Sequence, residues 1–346
     1  MQVMKLPDFL QCLTCFFNHL FTIFIVIIGF TSLISCELQL DTPPKFPNTD
    51  IVFQSVAKPG TEMDLRLGFV NADGSGLTYI SVTAPSVTNN KSSPIYPQIT
   101  SDNSILIVRG ASATGHPGRL ALYPAGKNSI ICTTYPDIII GPLSLTTDQN
   151  YVVAHLTSPP GRIARFDLHA CLLGDDEIVT EFNIPSPYQP CPAGGGALSP
   201  NEELLAFPDC TDESAEIIVL DIRKGTGISV GNGIAPAWSP DGDWIAYRGL
   251  DGIYTVSPNG TNERRFVEYR IPEGIGVAED WPPIPSWSPD GNWLVYHKCT
   301  LEPGLLTNCN AREDYAIFKV NIETGEEIKI LDGGLNPYWR WQQDAP

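Results

Sequence analysis

The chain has 346 residues, 42% of them apolar, which is ample for a large buried core. Its 30 glycines and 31 prolines suit a turn-rich, all-β fold better than a helical one. A formal charge of −18 and a sequence pI near 4.5 argue against nucleic acid as a partner, because such a partner needs a basic face.

In chain order, residues 1–35 read as a signal peptide rather than as part of the fold. Lys5 is the early cation, residues 21–34 are almost wholly apolar, and the small residue Ser35 follows. The ending Leu33-Ile34-Ser35-Cys36 resembles a bacterial lipobox, which implies that Cys36 is lipidated and opens the mature chain. The stretch 9–34 is also long enough for an uncleaved transmembrane anchor. Both alternatives place the remaining chain in the cell envelope, outside the cytoplasm. Residues 36–49 contain Pro43-Pro44 and read as an extended tether. Beyond Cys36 six cysteines remain, an even number that suggests disulfides in an oxidising compartment. Cys299 and Cys309 flank a single loop excursion. Cys191 and Cys210 lie in adjacent segments, and Cys132 with Cys171 follows by elimination. None of these six shows C-x-x-C spacing with histidine partners, so neither a metal site nor a cofactor is expected.

Residues 50–346 carry a repeat. Pro-Ala-Trp-Ser-Pro-Asp-Gly-Asp-Trp-Ile-Ala-Tyr at 236–247 recurs 49 residues later as Pro-Ser-Trp-Ser-Pro-Asp-Gly-Asn-Trp-Leu-Val-Tyr at 285–296. Pro-Asp-Gly is turn chemistry, and apolar residues on both sides make it the link of two short antiparallel strands. Aligned on Trp238, the column reads Ile99, Leu145, Leu198, Trp238, Trp287 and Trp339. The first five are followed at three positions by Asp102, Asp148, Asn201, Asp241 and Asp290. Six positions on stand Ile105, Tyr151, Leu204, Trp244 and Trp293. A later column, where a strand exits into a turn, reads Val70, Phe166, Leu220, Val256 and Val320, with Gly74, Gly174, Gly225, Gly260 and Gly325 nearby. Each unit of roughly 45 residues is therefore four antiparallel strands, a propeller blade. Six blades fit if residues 337–341 supply the innermost strand of a blade whose outer three strands begin at Ile51. The predicted fold is an all-β, six-bladed β-propeller closed by its C-terminal strand.

The Trp-Ser-Pro-Asp-Gly repeats and the run Val70-Asn71-Ala72-Asp73-Gly74-Ser75-Gly76-Leu77-Thr78 resemble the TolB-like six-bladed propeller over about residues 50–346. The match is strong at 236–260 and 285–297 and weak at 96–182. It covers the propeller alone, because 37–49 is too short for the small α/β domain of TolB. The resemblance implies a protein-binding platform or a substrate-gating domain, not an activity.

No catalytic residues emerge. Ser55-Val56-Ala57-Lys58 fits S-x-x-K, but Pro59-Gly60 denies it the helix start that motif needs. Asn71, Asp73 and Ser75 mimic the start of a calcium loop, yet position twelve is Val82. His116, His155, His169 and His297 lack metal spacing. The informative signal is loop length. The first turn of each blade is tight, whereas 110–118, 208–216 and 298–314 are long second loops, and 183–196 and 268–284 are long blade connections. In an up-and-down blade all five open on one face. Segment 268–284 holds Tyr269, Arg270, Glu279, Asp280 and Trp281, a composition typical of interface hot spots. Trp281 is either an exposed anchor or a plug packed on the neighbouring blade. The expectation is a monomeric, membrane-tethered, non-enzymatic module that binds a protein or cell-envelope partner. The alternative is a polysaccharide lyase or glycosidase-like enzyme, which would need convergent carboxylates, or His with Asp, in the central channel.

Overall fold

The computed structural model describes residues 46–55, 66–81, 95–100, 102, 104–109, 119–124, 130–132, 142–156, 162–173, 179–191, 194–211, 214–268, 283–300 and 314–340. They form six four-stranded antiparallel sheets, and these are the six blades of a β-propeller. Strands are lettered A to D from the channel outwards. In blade 1, strand A is Gly334–Trp339 and strands B, C and D are Ile51–Ser55, Arg66–Val70 and Thr78–Ser81. Blades 2 to 6 follow in chain order, each opening with its strand A: Ile95–Ile99, Ser144–Leu145, Ala197–Leu198, Ile234–Trp238 and Ser286–Trp287. The C-terminal strand thus pairs with the first strand of the propeller, with Trp339 opposite Ile51, and the ring is closed without a covalent turn. Closure removes the free edges that a linear stack of sheets would expose.

The repeated motif explains itself at each first turn. A hydroxyl one residue after the alignment column accepts the N–H that opens strand B: Ser239 from Trp244 and Ser288 from Trp293 at 2.9 Å, Ser199 from Leu204 at 3.0 Å, Thr146 from Tyr151 at 3.1 Å. The same hydroxyl donates to the acid or amide two residues on, Asp241, Asp290, Asn201 and Asp148. Blade 2 repeats the scheme with Thr100, Asp102 and Ser104 in a turn one residue shorter, so Ile105 lies opposite Ile99. The turn residue Gly242 or Gly291 is left-handed, and Gln149 and Glu202 hold that conformation in blades 3 and 4.

The core is divided among the seams between blades. Six apolar clusters each join residues of two adjacent sheets. Val295 and Ile317 of blade 6 meet Ile51, Phe53 and Trp339 of blade 1, so the closing seam is packed like the others. Residues 46–49, placed in the tether by sequence, belong in part to this packing: Phe46 is 5% exposed and stacks on Phe69 at 5.9 Å. The third turn of blade 3 is replaced by a short helix, Leu168–Leu173, whose start is capped by Asp167 accepting the Ala170 N–H.

Candidate functional site

Two features of a propeller carry function, its central channel and its loop faces. The strands A line the channel, a hollow of about 910 Å³ with open solvent included. Every blade contributes a proline: Pro337, Pro97, Pro142, Pro200, Pro236 and Pro285. Strand A is the inner edge of each sheet, where a missing N–H costs no ladder bond. Trp238, Trp287, Trp339, Tyr96 and Tyr338 add aromatic surface, and Gln98 and Asn336 add amides. Among the described lining residues Arg340 is the one formally charged side chain, and none carries a carboxylate or an imidazole. The convergent acids that the enzymatic alternative requires are therefore not found among the lining residues.

The strand A backbone is irregular at a repeated place. Tyr96, Ala235 and Asn336 have φ of 55°, 56° and 48°, and Gly195 has 77°. The pairing register shifts beside three of them, at 95–98, 234–237 and the partner of Asn336. Left-handed non-glycine residues are held only where their surroundings over-determine them. Here the fixing contacts are buried amide bonds: Asn336 donates its backbone N–H to His297 Nδ1 at 3.1 Å and its side-chain amide to Gln54 at 3.2 Å, and Gln98 donates to the Leu143 carbonyl. Burial pushes the Tyr96 hydroxyl up to about 12, against the opposing effect of Arg248.

Arg340 occupies the position at which the other five blades carry Ser or Thr. With no covalent turn to cap, it holds the two chain ends together instead. Its Nε donates to the Thr49 carbonyl and its Nη2 to the Pro47 carbonyl, both at 2.6 Å, and its N–H reaches the Asp50 carbonyl at 2.7 Å. Burial lowers the guanidinium from its usual value, and Asp50 opposes the shift. Trp238 and Trp287 each donate their indole N–H to a carbonyl of the preceding blade, Ala197 and Ala237, at 3.0 Å. Trp339 fills the same column without such an acceptor and donates its backbone N–H to Ser286.

On the long-loop face, connection 183–196 is tied down. Phe182, Ile184 and Tyr188 pack into the seam of blades 3 and 4, and the Tyr188 hydroxyl donates to the Gly227 carbonyl at 2.8 Å. Cys191 is bonded to Cys210, with 4.9 Å between Cα atoms, fixing this connection to the second loop of blade 4. Cys299, the last residue of strand B in blade 6, is also disulfide-bonded, while Cys309 lies outside the described residues. Cys132 closes strand Ile130–Cys132, and Cys171 lies in the short helix. Cys36, Tyr269, Arg270, Glu279, Asp280 and Trp281 lie outside the described residues.

One residue of this face was not singled out by sequence. Leu250 tips the second turn of blade 5 and is 75% exposed. Its turn is closed by the Gly249 N–H on the Gly252 carbonyl at 2.9 Å. Asp251 accepts from Tyr254 and from Arg265, both at 2.6 Å, which fixes the tip. Among the described residues no three of His, Cys, Asp or Glu are grouped to hold a metal ion, and no helix is long and apolar enough to cross a membrane.

Solved structures share this architecture. TolB from Acinetobacter baumannii superposes with a TM-score of 0.62 at 14% identity, over 85% of this chain and 67% of that one. The fold is that of the TolB-like six-bladed β-propeller. A structure assigned to TolB of Agrobacterium tumefaciens gives 0.56 at 14% identity over 86% and 94% of the two chains. A chain of a nidogen/laminin complex gives 0.56 at 7% identity over 84% and 97%. No family model matches this TolB-like chain, and no curated protein does.

Proposed function

We propose that this protein is an exported propeller, tethered to a membrane through lipid on Cys36, that binds a protein or cell-envelope partner through its long-loop face. The observation that carries the reading is the division of labour between faces. First turns are short and internally satisfied by hydroxyl–carboxylate bonds, whereas the opposite face carries the segment 183–191, pinned to the second loop of blade 4, and the exposed tip Leu250. The likeness to TolB structures supports an envelope setting, and the apolar run before Cys36 supports export. The channel lining of prolines, aromatics and amides supports binding over hydrolysis.

We place the centre of the binding energy in the connection 268–284, which holds Tyr269, Arg270, Glu279, Asp280 and Trp281. Pro282-Pro283 stiffen the backbone after Trp281 and reduce the entropy lost on association. Glu279 and Asp280 favour a partner with basic groups. Two variants test the reading. Metabolic labelling with a fatty-acid probe is expected to mark the natural chain and not Cys36→Ser; a natural chain that takes up no label and keeps residues 1–35 points to a transmembrane anchor instead. Trp281→Ala is expected to keep its melting temperature and to weaken partner binding by about 2 kcal/mol or more. A loss of about 3 kcal/mol in folding stability would make Trp281 a core residue and remove it from the site.

A further inference from the structure

The seam between blades 3 and 4 holds an imidazole that the binding reading does not use. His155 lies on strand B of blade 3, Tyr151–Leu156, opposite Ile163 on strand C, and is 1% exposed. Strand alternation places it with Val153 on the side packed against blade 4, while Val152, Ala154 and Leu156 pack towards blade 2. Neither of its ring nitrogens has a hydrogen-bond partner. A neutral imidazole carries one donor and one acceptor, so both are buried unmet.

The repeat shows what is missing. The equivalent residue of blade 6 is His297, whose Nδ1 accepts the Asn336 N–H from strand A of the next blade. In blade 4 the place of Asn336 is taken by Gly195, within a run of glycines at 194–196. These bring backbone close without side chains: a Cβ on Gly195 would meet Pro142 at 2.5 Å, and one on Gly196 would meet Ile163 at 3.1 Å. Strand A of blade 4 is Ala197–Leu198, as short as strand A of blades 3 and 6. At the inner end of this seam the glycine run offers the imidazole no side-chain partner.

The charged groups on the elements around it are engaged elsewhere. On strand C of blade 3, Arg165 reaches Glu202 of blade 4 at 3.9 Å and Arg162 pairs with Glu181. On strand B of blade 4, Asp209 accepts from the Gln189 N–H and from Thr211. Strand A of blade 4 and the glycine run carry no charge. None of the described carboxylates pairs with His155, and burial pushes it from 6.5 down to about 4.

We propose that the seam between blades 3 and 4 is an acid-sensitive joint of the ring, opened when His155 takes up a proton. A charged imidazole has two donors and no acceptor within the dry seam, and parting the blades lets water solvate it. The depressed value belongs to the closed state. The closed seam therefore has its full advantage above about 6.5 and loses it as pH falls towards about 4. One proton is taken up per opening, so the opening equilibrium rises by up to about tenfold per pH unit in that window.

Hydrogen exchange of the full chain in detergent, with protection factors followed from pH 7.5 to 4.5, tests this. Strands Tyr151–Leu156 and Leu204–Asp209 are expected to lose protection by up to about tenfold per unit below about 6.5, ahead of Ile51–Ser55 and Gly252–Val256. In His155→Leu that selective loss disappears. Equal loss in all blades, constant protection at this seam, or an unchanged acid response in the folded variant would each overturn the proposal. If His155→Leu does not fold, the profile of the natural chain decides alone.

Discussion

Gly68 shows how one missing side chain shapes a blade. It lies opposite Phe53 in blade 1, and a Cβ there would fall 2.0 Å from the Phe53 ring. The fully buried ring crosses the glycine and meets Tyr79 edge-on at 6.2 Å. Gly68→Ala must displace that ring from the closing seam. Its expected cost is about 2–3 kcal/mol, read as a lowered urea midpoint with unchanged slope. A midpoint equal to that of the natural chain would mean that the ring has room to move. At this same scale sequence was informative where a residue repeats and silent where it acts once. Trp238, Asp241 and Gly242 were legible because their column recurs. Leu250 was not, since exposure at a hairpin tip leaves no periodic trace. Tyr96 was not, since an aromatic residue gives no sign of a left-handed backbone.

At the scale of elements, the closing blade is where the chain must do without a turn. Strand Gly334–Trp339 was legible from the blade opening at 337–341, and its pairing with Ile51–Ser55 follows from the count of strands. The device that secures it, an arginine where the other five blades carry Ser or Thr, was not read from the sequence. Nor were its partners, because the Pro47 and Thr49 carbonyls belong to a stretch whose Pro-Pro and polar content read as tether. Arg340→Ala leaves both carbonyls without their donor and frees the Phe46 strap. Its expected cost is about 3 kcal/mol, by analogy with other hydrogen bonds to charged groups. Arg340→Lys is not expected to restore this, since one ammonium on a flexible stem cannot span two carbonyls as the planar guanidinium does. Equal stability of the natural chain and Arg340→Ala would show that strand pairing alone closes the ring.

At the scale of the whole molecule, the ring is a set of seams with unequal ends. One face is built from turns that satisfy themselves: burial alone would raise Asp148 and Asp290, yet hydrogen bonds from Thr146 and Asn150, and from Ser288 and Asn292, hold both carboxyls below their usual range. Groups already satisfied have little to offer a partner. The other face carries the segment 183–191, the Cys191–Cys210 bond that pins it, and Leu250. Site-specific photocrosslinking in intact membranes compares the two faces directly, with the photoreactive group placed at 250 on one, at 241 or 259 on the other, and at 281 in the connection proposed to bind. Adducts of discrete mass are expected from positions 250 and 281 and none from 241 and 259. Adducts confined to 241 and 259 would contradict this and put the partner on the first-turn face.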